Sequence, residues 1–91
     1  MNKAELVDAI AGKTGDSKAG AGASLDATLE IIGSALSRGE KVQLTGFGTF
    51  ERRHRAARMG RNPRTGAAVP IKASNVPAFK AGKALKDKVN Q

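Results

Sequence analysis

The chain has 91 residues, no cysteine, no tryptophan, no tyrosine and a formal net charge of +8. This length fits one small domain, and the lack of cysteine excludes disulfides, thiol catalysis and cysteine-ligated metal sites. The single histidine, His54, has no second histidine to share a metal ion with, and no apolar run is long enough to span a membrane. The N-terminus is polar and lacks a signal-peptide core. Composition therefore predicts a soluble, intracellular protein that is not an enzyme and needs no cofactor.

The charge is unevenly distributed along the chain. Residues 1–50 hold five basic and six acidic residues, a local charge of −1. Residues 51–91 hold eleven basic and two acidic residues, a local charge of +9. This asymmetry predicts that the second half builds a surface for a polyanion.

Two helices are predicted within the first forty residues. Asn2, followed by an acid three positions later, has the pattern of an N-cap, and Gly12 and Gly15 are expected to end the first helix. Residues 16–17 offer a second N-cap, and Gly39 is the expected end of the second helix. The second helix carries an apolar stripe of Leu25, Leu29, Ile32 and Leu36.

The period of the pattern changes to two after residue 40. Val42 and Leu44 alternate with polar residues, and the glycines around Phe47 predict a turn between two strands. Pro77 marks a bend or an edge position, and Gly82 precedes a short, lysine-rich helix. The three phenylalanines, which all adjoin apolar or turn positions, are assigned to the core: Phe47, Phe50 and Phe79.

Residues 52–75 have hardly any large apolar side chains, so this stretch cannot repay its ordering entropy in a core. The sequence Gly-Arg-Asn-Pro-Arg-Thr-Gly at residues 60–66 carries turn-forming residues at its centre. Together these features predict a long two-stranded arm that projects from the body of the protein. Each strand, of about ten residues, would reach roughly 33 Å.

Six arginines lie in this arm, and no acidic residue between positions 52 and 76 can pair with them. They are Arg52, Arg53, Arg55, Arg58, Arg61 and Arg64. Strand alternation places Arg53 and Arg55 on one face. It places Arg52 and Arg58 on the other, with His54, to which no metal or catalytic role is assigned. Arginine's planar fork suits phosphates and narrow grooves, which favours a duplex-binding arm over a merely solvated charge run.

Pro63, at the centre of the predicted turn, has two interpretations. A proline is sufficient there as a turn residue. As an apolar wedge at the tip of a minor-groove arm, it would partly unstack a base step and kink the duplex. Arg61 and Arg64 flank it and Asn62 can hydrogen-bond minor-groove acceptors, which favours the wedge. The scarcity of aromatic residues disfavours single-strand stacking platforms and RRM-like RNA binding.

Several blocks of the sequence resemble the bacterial HU/IHF family of nucleoid proteins. They are residues 1–3, 44–50 (Leu-Thr-Gly-Phe-Gly-Thr-Phe), 55–58, 60–63 with 65–66, and 76–87. The resemblance runs end to end and implies an α+β fold in an intertwined homodimer. Each chain, 1–91, would be one HU-like domain with two N-terminal helices, a three-stranded antiparallel sheet with a long β-ribbon arm, and a short C-terminal helix. Its parts would be a helical dimerisation part (1–40), the sheet and arm (41–80, the arm about 52–75) and the C-terminal helix (81–91).

The same resemblance implies an architectural protein that binds double-stranded DNA without sequence specificity. It would bend, wrap and compact DNA through β-ribbon arms in the minor groove, with a proline wedge at each tip. HU and IHF are themselves established examples of such bending, so this mechanism is carried over from the family. Localisation would be cytoplasmic and nucleoid-associated. Heterodimerisation with a paralogue and binding of structured RNA stay open, and an IHF-type sequence-preferring subunit is the alternative, which the HU-like ending at residues 82–90 disfavours.

The residues implied in DNA binding are basic or lie at the arm's tip: Lys3, Arg53, Arg55, Arg58, Arg61, Asn62, Pro63, Arg64, Lys72, Lys80, Lys83 and Lys86, with Pro63 intercalating. The residues assigned to the core or the dimer interface are Leu25, Leu29, Ile32, Leu36, Leu44, Phe47, Phe50 and Phe79. No catalytic or metal-binding residue is assigned. Gly20 and Gly22 depart from the family as poor helix formers, and Arg64 stands where glutamine is frequent.

Overall fold

The computed structural model describes all 91 residues and divides into two compact units, Met1–Ser34 and Ala35–Gln91. The elements in chain order are α1 (Lys3–Thr14), α2 (Lys18–Ser37), β1 (Val42–Leu44), β2 (Gly48–Arg55), β3 (Arg58–Arg61), β4 (Ala68–Ile71), β5 (Ser74–Ala81) and α3 (Lys83–Val89). The predicted α+β class and order of elements are confirmed. None of the helices is both long and apolar enough to cross a membrane.

Helix α1 begins with a reciprocal capping box. The Asn2 side chain accepts a hydrogen bond from the Glu5 amide at 2.9 Å, and the Glu5 carboxylate accepts one from the Asn2 amide at 3.3 Å. The helix ends at Gly15, which has φ +77° and donates its N–H to the Ala11 carbonyl. The prediction that Gly12 also ends the helix is wrong. Gly12 continues the helical turn, and only Gly15 adopts the left-handed conformation that stops it.

Helix α2 begins as predicted at the second N-cap. The Ser17 hydroxyl accepts a hydrogen bond from the Gly20 amide at 3.0 Å. A β-carbon at Gly20 would lie 2.7 Å from the Asp16 carboxylate oxygens, whereas one at Gly22 would make an ordinary 3.8 Å contact with Val7. The two glycines therefore differ in how much room they have for a side chain: a β-carbon would clash at Gly20 but fit at Gly22.

The three-stranded sheet has the order β1-β2-β5 and is antiparallel throughout. Strands β1 and β2 are joined by the predicted turn, in which the Phe47 amide donates a hydrogen bond to the Leu44 carbonyl at 2.9 Å. The register pairs Val42 with Phe50 and Phe50 with Phe79, so these side chains share one face. Pro77 lies in β5, an edge strand, as predicted.

The phenylalanines form an apolar face of the sheet. The Phe79 ring centroid lies 5.4 Å from that of Phe47 and 4.8 Å from that of Phe50, with tilted rings in both pairs. Yet Phe47 and Phe79 remain 46% and 40% exposed, and the only buried apolar side chains are those of Ala21 and Ala35. Within one chain Phe47 and Phe79 are therefore only partly covered, and the assignment of the phenylalanines to the core or the dimer interface stays a prediction.

Candidate nucleic-acid interface

The register of β2 with β5 separates two faces of the sheet. Arg53 pairs with Val76, Arg55 with Ser74 and Thr49 with Lys80, so these positions alternate with the phenylalanine positions. Three of the residues implied in DNA binding consequently share the face opposite the phenylalanines: Arg53, Arg55 and Lys80. This polar face is the root of the candidate interface.

The predicted two-stranded arm is present, with one interruption that the sequence did not indicate. The β2–β5 ladder runs to the pair Arg55–Ser74, and the β3–β4 ladder resumes at the pair Arg58–Ile71. Two residues on each strand, 56–57 and 72–73, lie between the ladders. The register is therefore unchanged across the gap. Because Arg58 lies beyond the gap, it stays a prediction that Arg58 is on the same face as Arg52.

The distal ribbon, formed by β3 and β4, contains its own small apolar contact. A β-carbon at Gly60 would lie 2.6 Å from Cδ1 of Ile71, so the isoleucine side chain crosses directly over the glycine. Met59, by contrast, is 64% exposed. The ribbon therefore packs one side chain against its own backbone, as expected of a segment with so few apolar residues.

The arm's tip is closed by hydrogen bonds centred on Asn62. Its backbone donates to the Ala67 carbonyl at 2.9 Å and accepts from the Gly66 amide at 2.7 Å. Its side-chain oxygen accepts from the Arg64 amide at 2.8 Å. The side-chain amide group of Asn62 remains as a donor, the type of group that minor-groove acceptors require. Pro63 is exposed at this turn.

The cations implied in DNA binding differ in their acidic partners. Arg53 lies 3.1 Å from Glu51, whose side chain is only 20% exposed, and Lys3 lies 2.6 Å from Asp26. Lys83 forms an i,i+4 pair with Asp87 at 3.2 Å. The remaining cations of the set make no ion pair: Arg55, Arg58, Arg61, Arg64, Lys72, Lys80 and Lys86.

Glu51 is the polar residue of this region that sequence reasoning missed. It lies outside the acid-free arm, but two positions before Arg53 on the same strand, so both side chains are on one face. That i,i+2 spacing was the available signal. Among the arginines implied in DNA binding, Arg53 is thus the one whose charge is already paired with a carboxylate of the same chain.

Two further side chains of the arm's root are held by other parts of the chain. The His54 ring nitrogen Nδ1 lies 3.0 Å from Oδ1 of its cross-strand neighbour Asn75. The Arg52 guanidinium donates to the Ser37 carbonyl at 3.1 Å. Both residues belong to the face of the phenylalanines, and neither is part of the candidate interface.

The family model described as bacterial DNA-binding protein matches residues 1–90. The chain is 62% identical over 89 residues to DNA-binding protein HU-alpha of Vibrio proteolyticus, covering 98% of this chain and 99% of the relative. It is 58% identical over 89 residues to DNA-binding protein HU of Staphylococcus aureus strain COL, with the same coverage.

Solved structures are similar over the same length. A co-crystal structure of Anabaena HU with DNA superposes with a TM-score of 0.92 at 55% identity. The match covers 98% of this chain and 97% of the Anabaena chain. HU from Thermotoga maritima gives a TM-score of 0.69 at 42% identity, with 98% of both chains covered.

Proposed function

Because the chain belongs to the bacterial HU family of DNA-binding proteins, we propose that it is a histone-like protein that bends and compacts double-stranded DNA without sequence specificity. Membership of this family confirms the prediction that the chain is not an enzyme. The observation that carries the proposal is the separation of faces at the arm's root. Arg53, Arg55 and Lys80 lie on one face, and Phe50 and Phe79 lie on the other.

The binding energy comes mainly from phosphate contacts. Each phosphate neutralised by arginine or lysine releases condensed counterions, so the affinity depends steeply on salt. The cations without acidic partners, Arg55 and Arg58 among them, neutralise phosphates without first breaking an ion pair. Arg53 must exchange Glu51 for a phosphate and gains less.

The bending comes from the arms in the minor groove. Pro63 is exposed at the end of the ribbon and carries no N–H, so it enters a base step as an apolar wedge without burying an unsatisfied donor. Around it, Asn62 and Arg64 are joined by the side-chain hydrogen bond that shapes the turn. Arg61 is held by its bond to the Gly66 carbonyl at 3.1 Å. These contacts keep the turn's shape as the proline enters.

The functional unit is a homodimer. One chain buries only two apolar side chains and leaves Leu29, Phe47 and Phe79 each at least 40% exposed. An apolar cleft of about 300 Å³ in the helical unit is lined by Met1, Asn2, Lys3, Leu6, Leu25 and Leu29. A small chain that spends residues 52–75 on an arm needs a second copy to cover such surfaces.

The alternative is an IHF-type subunit that selects deformable sites. It would share the arms and the wedge but prefer certain sequences. The HU-like residues 82–90 favour the non-specific protein. We place its action on nucleoid DNA in the cytoplasm, with structured RNA as a further candidate ligand and a paralogue as a candidate heterodimer partner.

The test is binding to plain, nicked and four-way duplexes of random sequence across a salt series, with one fixed-sequence duplex as competitor. We expect log K to fall linearly with log salt, by about 0.9 for each phosphate contacted. We also expect tighter binding to the nicked and four-way forms, which cost less to bend. A slope near zero would refute phosphate-driven binding, and strong preference for one fixed sequence would favour the IHF-type function.

A further inference from the structure

Arg52 is set apart from its neighbours by the face it occupies. It pairs across the strands with Pro77 and lies two positions after Phe50, so it shares the phenylalanine face. Arg53 and Arg55 lie on the opposite face. In sequence the three arginines form one basic cluster, but the sheet divides that cluster between its two sides.

The Arg52 side chain is directed to the end of α2. Its Nη1 donates a hydrogen bond to the Ser37 carbonyl at 3.1 Å. Its Nη2 lies where a β-carbon on Gly39 would approach within 2.9 Å, so the guanidinium rests against this glycine. Gly39 has φ +80°, a conformation that glycine adopts without strain. The space and the backbone conformation at Gly39 together admit the guanidinium.

The end of α2 is otherwise closed by a Schellman motif. The Glu40 amide bonds the Ala35 carbonyl at 2.9 Å, and the Gly39 amide bonds the Leu36 carbonyl at 3.0 Å. Arg52 adds a hydrogen bond to the Ser37 carbonyl, an atom that neither of these two bonds uses. A cation at this place also interacts favourably with the negative end of the helix dipole.

The same residue lies where the sheet narrows to the arm. Strand β1 pairs with β2 only from Gly48 to Phe50, so beyond Phe50 the arm's root has two strands instead of three. Arg52 is in this two-stranded part. Its bond to Ser37 is a side-chain tie between the arm's root and the last turn of α2, both within residues 35–91.

From this geometry we propose that Arg52 is a positioning residue: it completes the C-terminal cap of α2 and thereby fixes the direction of the arm's root, and it does not bind DNA phosphate. The part that concerns DNA rests on the proposed function, whereas the helix cap does not. The arginine fork is required because one nitrogen bonds the carbonyl while the other packs on Gly39, which a lysine cannot reproduce.

The first measurement uses the full-length protein without DNA. Hydrogen exchange at the Gly39 and Glu40 amides is compared between the parent protein, Arg52→Met and Arg55→Met. Loss of the cap in Arg52→Met is expected to speed exchange at these amides about two- to fivefold. Arg55→Met, which removes a neighbouring arginine on the other face, is expected to leave them unchanged. Equal exchange in Arg52→Met and the parent protein would overturn the cap.

The second measurement is the salt dependence of duplex binding by the same three proteins. Removal of a positioning residue weakens binding by the same factor at every salt concentration, so the log–log line for Arg52→Met should be parallel to the parent line. Removal of a phosphate-binding cation makes the line shallower, by about 0.9 for each phosphate, as expected for Arg55→Met. A shallower line for Arg52→Met, or a line that coincides with the parent line, would overturn the positioning role.

If Arg52→Met fails to fold cooperatively, the variant Arg52→Lys tests whether Arg52 positions the arm or binds phosphate. Lysine keeps the charge, so a phosphate contact would survive and binding would be unchanged. The positioning role predicts faster exchange at Gly39 and Glu40 and a parallel loss of affinity, and unchanged exchange and affinity would refute it. If the parent protein itself shows no salt-dependent DNA binding, the proposed function fails. The hydrogen-exchange data would still show whether Arg52 caps α2.

Discussion

Gly48 in β2 lies directly under the Phe79 ring of β5. A β-carbon at Gly48 would come within 2.5 Å of Cζ of Phe79 and 2.6 Å of the Lys80 carbonyl oxygen. The ring sits over this position and contacts both other phenylalanines. The absence of a side chain at residue 48 therefore leaves the space that the Phe79 ring occupies.

Gly48→Ala is accordingly expected to destabilise the protein by about 1–3 kcal/mol, because the backbone oxygen on one side cannot move aside as a side chain can. The check is the urea midpoint at fixed protein concentration. Gly12→Ala is the control, since a β-carbon there meets nothing within 4 Å inside α1 and should stabilise by about 0.5–1 kcal/mol. A Gly48→Ala midpoint at or above that of the parent would contradict the packing argument.

Removal of one unpaired arm cation should reduce the salt dependence of DNA binding. Arg58→Ala is expected to make the log–log slope shallower by about 0.9 for each phosphate that this arginine neutralises in the parent protein. Arg38→Ala removes an arginine that is paired with Glu40 at 3.3 Å and lies outside the predicted interface, so its slope should equal that of the parent. Titrations by fluorescence anisotropy at five or more salt concentrations give both slopes, and equal slopes for the two variants would exclude Arg58 from the interface.

Replacement of the tip proline should separate bending from binding. An apolar wedge kinks a duplex by about 20–90°, so Pro63→Ala should lower energy transfer between dyes at the duplex ends. Affinity should change less, because the phosphate contacts remain. Pro70→Ala serves as the control, since Pro70 is in the same ribbon, paired with Met59 and away from the tip. Unchanged energy transfer in Pro63→Ala would leave Pro63 as a turn residue only.

Truncation of an exposed leucine should be costly if a second chain covers it. Leu29 is 51% exposed in the single chain, and an exposed truncation normally costs less than about 0.5 kcal/mol. In a dimer core the same Leu29→Ala change should cost about 2–5 kcal/mol and weaken self-association measured by sedimentation equilibrium. Met59→Ala, at a 64% exposed arm residue, should change neither quantity. Equal small effects for both variants would contradict a homodimer interface at Leu29.

The sequence predicted most of the fold because its local signals agree with its long-range pairing. The capping pair at Asn2 and Glu5 and the turn at residues 44–48 each depend on neighbouring residues, and both are present. Gly12 was misassigned because its backbone stays helical while that of Gly15 is left-handed, and the sequence does not show which of the two glycines adopts a positive φ.

The sequence predicted which residues belong to the candidate interface better than it predicted the contacts that they make. Strand alternation correctly separated Arg52 from Arg53 and Arg55. It could not predict that Arg52 bonds the Ser37 carbonyl, because that hydrogen bond joins residues fifteen positions apart in different elements. Nor could it predict the gap at residues 56–57, since alanines are compatible with both paired and unpaired backbone.

The gap between the two ladders of the arm also has a geometric consequence. Because residues 56–57 and 72–73 are equal in number on the two strands, the outer ribbon can turn relative to the inner one without slipping its pairing. Such a turn requires no strand pair to open, since these four residues lie outside the ladders. The number of residues from the sheet to the tip is the same on both strands, so a turn at this gap would change the direction of the outer ribbon and leave its length in residues unchanged.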